Sequence, residues 1–287
     1  MTKIQHWIYL LVGIVITAYF GFTGYSYYLT PTEERFFHSA HTILKPSGFL
    51  GHGLGIIGSL MMLIGVATYM LRKRLKMLSR VGAIKNWLEF HIFLCSVGPV
   101  LVLFHTAFKF GGIVAISFWC MVAVVVSGII GRFIYVQIPR TIQGNEYSLE
   151  ELKAVNQSYG DKLRNEFNLN NSLIQKLEYF TSLKVYKSAT LFTIIPLTIK
   201  DHFANRKVLK ELKHELKKEN ISKKSIKKIS AVCNAKLVLS RRTSLLHSVH
   251  EMFRYWHIIH LPFAIVMLVI MILHVGITVA FGYRWVF

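Results

Sequence analysis

Residues 87–105 read WLEFHIFLCSVGPVLVLFH and residues 256–274 read WHIIHLPFAIVMLVIMILH. Both stretches are Trp-x3-His-x13-His, and both are otherwise almost wholly apolar. A hydrocarbon core of about 30 Å takes roughly 20 helical residues to cross. Each stretch therefore predicts a membrane-spanning helix with one histidine near either end. Fourteen steps at about 1.5 Å separate the two histidines of a helix by about 21 Å. Fourteen steps of roughly 100° total about 1400°, within about 40° of four whole turns, so both imidazoles share one face. The matched Trp-to-His spacing sets His91 level with His260, and His105 level with His274.

Three further runs complete a set of five predicted spans: 4–27, 49–71, 87–108, 113–136 and 256–281. The fold class expected is all-α: a five-helix membrane protein with a four-helix bundle and a helical cytoplasmic insert. The divisions are an N-terminal helix (1–30), helices two to four of the bundle (49–136), a basic insert (137–250) and the fifth helix (251–287). Helices are the form in which an uninterrupted apolar run satisfies its backbone in lipid. The first run is too long for a signal-peptide core and lacks a small-residue cleavage site, so it is read as a span. Composition agrees, with 53% hydrophobic and 17% charged residues. That excludes a disordered chain, and the blockwise apolar pattern speaks against a soluble enzyme. Cys95, Cys120 and Cys233 are too dispersed for a disulfide framework or a zinc knuckle.

The net charge is +20. The link Arg72–Lys85 holds Arg72, Lys73, Arg74, Lys76, Arg80 and Lys85 and no acid, and segment 137–255 carries 22 basic and 11 acidic residues. Placing both inside puts 30 of the 34 Lys and Arg on one side. The positive-inside rule then gives a cytoplasmic N-terminus and an outside C-terminus. Lys109-Phe110-Gly111-Gly112 predicts a tight turn that makes helices three and four antiparallel neighbours. Helices three and five then run in the same direction.

Two level pairs of imidazoles, one near each membrane surface, are what bis-histidine ligation of two b-type haems requires. Haem iron accepts a neutral imidazole on each side of its ring. The expected metal ligands are His91 with His260 for the inner haem and His105 with His274 for the outer. Gly98, midway between His91 and His105, would relieve crowding between the rings, with Pro99 bending the helix. A lone membrane histidine is more often a hydrogen-bonded polar group or part of a proton relay. The duplicated spacing argues against that here. A zinc or copper site would need its ligands clustered within a few ångströms. Covalent c-type attachment is excluded by the absence of Cys-x-x-Cys-His.

At these residues the chain resembles the di-haem four-helix-bundle cytochromes b. That group includes the cytochrome b of quinol-oxidising complexes and the membrane domain of ferric reductases and NADPH oxidases. The resemblance covers 49–136 and 245–281. It implies transmembrane electron transfer between a quinone pool and redox subunits such as multihaem cytochromes or iron–sulfur proteins, in a bacterial-type inner membrane. Two departures are the insert of about 120 residues between helices four and five, and the lack of a flavin- or nicotinamide-binding domain after helix five. Competing expectations are a ferric reductase or superoxide-producing oxidase subunit fed by a separate flavoprotein, and a haem-free transporter or assembly protein.

Arg132, Arg140 and Lys109 are candidates to pair with haem propionates; each is equally an ordinary membrane-surface anchor. His41 and His52 are candidates for an outer quinone site, where histidine can accept a quinol proton, or are polar loop packing. His257 breaks the spacing to His274 and reads as interfacial. Glu89 pairs with a basic neighbour or accepts a proton. In the insert, Ser148-x-x-Glu151 matches a capping box. Leu209, Leu212 and Leu216 in 201–219, and Ile226, Ile229, Val232 and Leu237 in 222–239, mark two amphipathic basic helices. Their lysines suit an acidic partner or anionic lipid of the inner leaflet, or are simply solvated. No motif supports nucleic-acid binding. The run 189–199, with Pro196, is too short to span.

Overall fold

The computed structural model describes residues 3–139, 147–167, 191–218 and 221–282, and among them the chain is helical with no strand. The main helices are α1 (Lys3–Thr23), α2 (Phe49–Arg74), α3 (Ile84–His105), α4 (Gly112–Gln137), α5 (Leu149–Asp161), α6 (Leu191–Lys218) and α7 (Lys223–Ala280). Five helical stretches, in α1, α2, α3, α4 and the C-terminal part of α7, are long and apolar enough to cross a membrane. They coincide with the five runs read from sequence. Most of their large apolar side chains are exposed, as lipid-facing surfaces require.

The chain forms two units, Met1–Ile129 with Ile258–Phe287, and Ile130–His257. In the first unit the closest packing is between α2 and α3. The glycines of α2 decide it, because small residues let two backbones approach. A Cβ on Gly58 would stand 2.7 Å from the Gly98 carbonyl oxygen of α3, and a Cβ on Gly98 would stand 2.7 Å from that of Gly58. The space Gly98 opens is thus filled by α2. The Gly58→Leu change gains about 1 kcal/mol of helix propensity. It should nevertheless destabilise by a net 1–3 kcal/mol or so, because the backbones must separate. The thermal midpoint of the detergent-solubilised protein reads this; an unchanged midpoint would refute the close approach. Residues 53–58 also spell Gly-x-Gly-x-x-Gly, but inside a helix and after no strand, so the string is a packing face rather than a dinucleotide loop.

Helix α1 packs on another side of α3. Ile16 and Phe20 join Leu54, Val97, Leu101 and Phe104, and Tyr9 stacks on Phe93 at 4.6 Å. All four bundle helices meet at mid-height, where Met62 of α2, Val102 and Leu103 of α3, Phe118 and Met121 of α4 and Met267 of α7 form one cluster.

The reversal after α3 begins earlier than the sequence suggests. The helix closes at His105, and Ala107 (φ 47°) and Phe108 (φ 60°) take left-handed backbone before Gly112 (φ 67°) does. Non-glycine residues pay a steric penalty there. Ala107 is held by Arg35, which is 5% exposed and donates from Nη1 to the Ala107 carbonyl. Arg35 also donates from Nε to the Thr30 carbonyl at 2.8 Å and from Nη2 to that of Tyr28 at 2.8 Å.

In the second unit α5 opens with the reciprocal capping box expected at Ser148. The Glu151 N–H donates to Ser148 Oγ at 3.1 Å and the Ser148 N–H to Glu151 Oε2 at 2.7 Å. Leu212 and Leu216 of α6 meet Ile226, Ile229, Cys233 and Leu237 of α7 in one core, along the two stripes read from sequence. Two boundaries differ from expectation. The described part of α6 runs from Leu191 through Pro196 to Lys218, so the proline does not break the helix. Residues 189 and 190 of that run lie outside the described residues. The second amphipathic helix does not stop at 239: α7 continues to Ala280, because residues 240–255 contain neither glycine nor proline.

Candidate functional site

The two histidines of α3 lie on its glycine face and reach the backbone of α2. His91 Nδ1 is 3.0 Å from the Gly65 carbonyl oxygen, and His105 Nδ1 is 2.8 Å from that of Gly51. The glycine stripe of α2 makes this possible. A Cβ on Gly55 would stand 2.7 Å from His105 Nδ1, so any larger residue there displaces the ring. A carbonyl oxygen only accepts, so Nδ1 carries the proton in both rings. The neutral imidazole then has its lone pair on Nε2.

His260 is held by another route. Its Nδ1 is 2.7 Å from Ser127 Oγ on α4. The Ser127 hydroxyl also lies 2.9 Å from the Val124 carbonyl oxygen. Ser127 thereby fixes the orientation of the His260 ring. An N–H donated to a carbonyl or hydroxyl is what fixes the ring orientation and raises the basicity of a ligating histidine.

His105, His274 and His52 gather at one end of the bundle. His274 and His52 both lie near His105, and His52 lies near His274. The His52 and His105 rings are 6.4 Å apart and tilted by 62°. His91, fourteen residues before His105 on α3, has its ring 5.5 Å from Tyr69. Among the described residues no three or more His, Cys, Asp or Glu side chains form a cluster able to hold a metal ion.

The remaining candidates are dispersed. His41 sits apart from His52, with Nδ1 3.3 Å from the Tyr27 hydroxyl and its ring against Phe36. Lys109 is exposed beyond the α3 reversal. The Arg132 guanidinium lies over the Tyr135 ring at 5.7 Å. Arg140 lies outside the described residues. Glu89 is 4.0 Å from Lys85 one turn earlier. His257 is exposed and turns back on its own helix, Nδ1 3.0 Å from the Phe253 carbonyl. Sequence reasoning missed Ser127 and the carbonyls of Gly51 and Gly65. The Gly-rich face of α2 was the signal for the carbonyls, whereas nothing around Ser127 distinguishes it from other serines.

No protein-family model, curated protein or solved structure matches the chain.

Proposed function

We propose that this chain is a membrane electron-transfer subunit that binds two b-type haems, one between His91 and His260 and one between His105 and His274. The observation that carries the reading is the orientation of three of these four rings through Nδ1. His91 and His105 give Nδ1–H to carbonyls of α2 and so offer Nε2 as the ligand atom, and His260 Nδ1 is engaged by Ser127. Six-coordinate haem iron takes two protein ligands, one from each histidine of a proposed pair. When bound, haem supplies reversible one-electron chemistry. The chain's own part is to hold the rings in orientation through Gly65, Gly51 and Ser127, and to keep water out with the apolar cluster at mid-bundle.

The Lys and Arg distribution supports a cytoplasmic N-terminus and insert in a bacterial-type membrane. His52, beside His105, is the proposed proton acceptor for a quinol at the outer end, and a multihaem or iron–sulfur subunit is the proposed redox partner. The test is a reduced-minus-oxidised spectrum with haem quantitation on protein from haem-replete cells. About two b haems per chain are expected, reduced by added quinol in the native protein and not in His52→Ala. Colourless protein overturns the proposal in favour of a haem-free transporter. Reduction only through an added NAD(P)H-dependent flavoprotein favours the reductase reading.

A further inference from the structure

The second unit carries a candidate site of another kind. Between α6 and α7 lies a cavity of about 620 Å³, a size that accommodates a small organic ligand. Two helical stripes wall it, Arg206 and Lys213 from α6 and Lys227, Ser230, Arg241 and Arg242 from α7. Five of its lining residues are Lys or Arg and none is Asp or Glu.

A solvated basic helix face keeps its charged donors in water. Here two guanidinium Nε–H groups and a hydroxyl are withdrawn from it, while Arg206, Lys213 and Lys227 stay exposed. Ser230 is 7% exposed. Among the described residues Ser230 Oγ, Arg241 Nε and Arg242 Nε are buried without a hydrogen-bond partner. Arg241 Nη2 donates at 3.4 Å to Gln137 Oε1, a neutral group that leaves the charge uncompensated. Burial, and then the adjacent Arg241 charge, hold the Arg242 guanidinium below its ordinary pKa. Buried donors and crowded like charges are costly unless an anion meets them. A phosphoryl group answers both needs, with several acceptor oxygens and a multiple negative charge.

We propose that this cavity binds a phosphate-bearing anion, held by Arg206, Lys213, Lys227, Arg241, Arg242 and the Ser230 hydroxyl. The anion is a soluble phosphorylated compound or the headgroup of an acidic lipid; both present the same group to the same side chains. The site does not depend on haem binding.

The test is isothermal titration calorimetry of the detergent-solubilised full chain. Two probes are used: inorganic pyrophosphate and the soluble lipid dihexanoyl phosphatidic acid. The native chain should bind at least one of them, more weakly as salt rises. The double variant Arg241→Gln/Arg242→Gln should weaken that binding at least about tenfold. Its ligand-free thermal midpoint should not fall, because a repulsion is removed. Ser230→Ala should weaken binding roughly three- to tenfold with the charges intact. Lys153→Gln, an exposed cation elsewhere in the unit, should leave it within about twofold. Pyrophosphate binding that follows this pattern supports a soluble ligand, and the same pattern with the lipid probe alone supports a headgroup. Binding of neither probe, or equal weakening by Lys153→Gln and the double variant, overturns the proposal.

Discussion

Exchanging His105 for alanine is expected to remove about half of the b-haem absorbance while the chain still reaches the membrane. The loss follows from the proposed pairing. With His105 gone, His274 is left as the single protein ligand at its level, and one imidazole does not hold a non-covalent haem in six-coordinate form. His91→Ala should remove the other half, and the double variant all of it. His257→Ala is the control, since that ring is hydrogen-bonded to its own helix. Haem quantitation and difference spectra on matched membranes read the outcome. Full haem content in His105→Ala would sink the ligand assignment. The same logic reaches Ser127, which positions His260 without touching the iron. Ser127→Ala should keep the haem but weaken its binding by about 10–100-fold, with a shift in the midpoint potential of that haem alone. Ser127→Thr, which restores a hydroxyl, should recover it.

Removing Arg35 should cost about 2–4 kcal/mol, a drop of roughly 10 °C in the thermal midpoint. The guanidinium is buried and gives hydrogen bonds to the carbonyls of Thr30, Tyr28 and Ala107. It also lies 5.4 Å from the Tyr27 ring centre. Arg35→Ala orphans one buried and two part-buried acceptors at once, the buried one being the most costly to leave unmade. It also releases Ala107 from a backbone conformation that an alanine does not choose alone. Arg35→Lys should recover less than half, because a single ammonium cannot reach three diverging carbonyls as a planar fork does. A midpoint within about 1 °C of the native value in Arg35→Ala would show that these bonds carry no weight.

The spans were legible because lipid imposes a coarse rule that any 20-residue apolar run obeys. The amphipathic stripes of the insert were legible for a similar reason. Leu212, Leu216, Ile226, Ile229 and Leu237 recur at helical spacing, and they form its core. Helix ends were less so. Pro196 lies inside the described part of α6 without breaking it, and the junction inside α7 reads as a boundary because hydropathy changes there. Hydropathy reports what surrounds a helix, whereas its continuity depends on backbone hydrogen bonds that no residue of 240–255 interrupts.

By itself the sequence determined the five apolar helices, the basic insert and the even spacing of His91, His105, His260 and His274. These are properties of one chain segment at a time, set by side-chain polarity and the pitch of a helix. Only the tertiary structure decided how the rings of His91, His105 and His260 are held. Their Nδ1 contacts rest on Gly65, Gly51 and Ser127, residues 26, 54 and 133 positions away from their histidines. It likewise decided that Gly98 serves the contact with α2 and that Arg35 holds Ala107, 72 positions on. Hydrogen bonds and close backbone contacts act over about 3 Å in space, a distance that spacing along the chain does not encode once helices pack against one another.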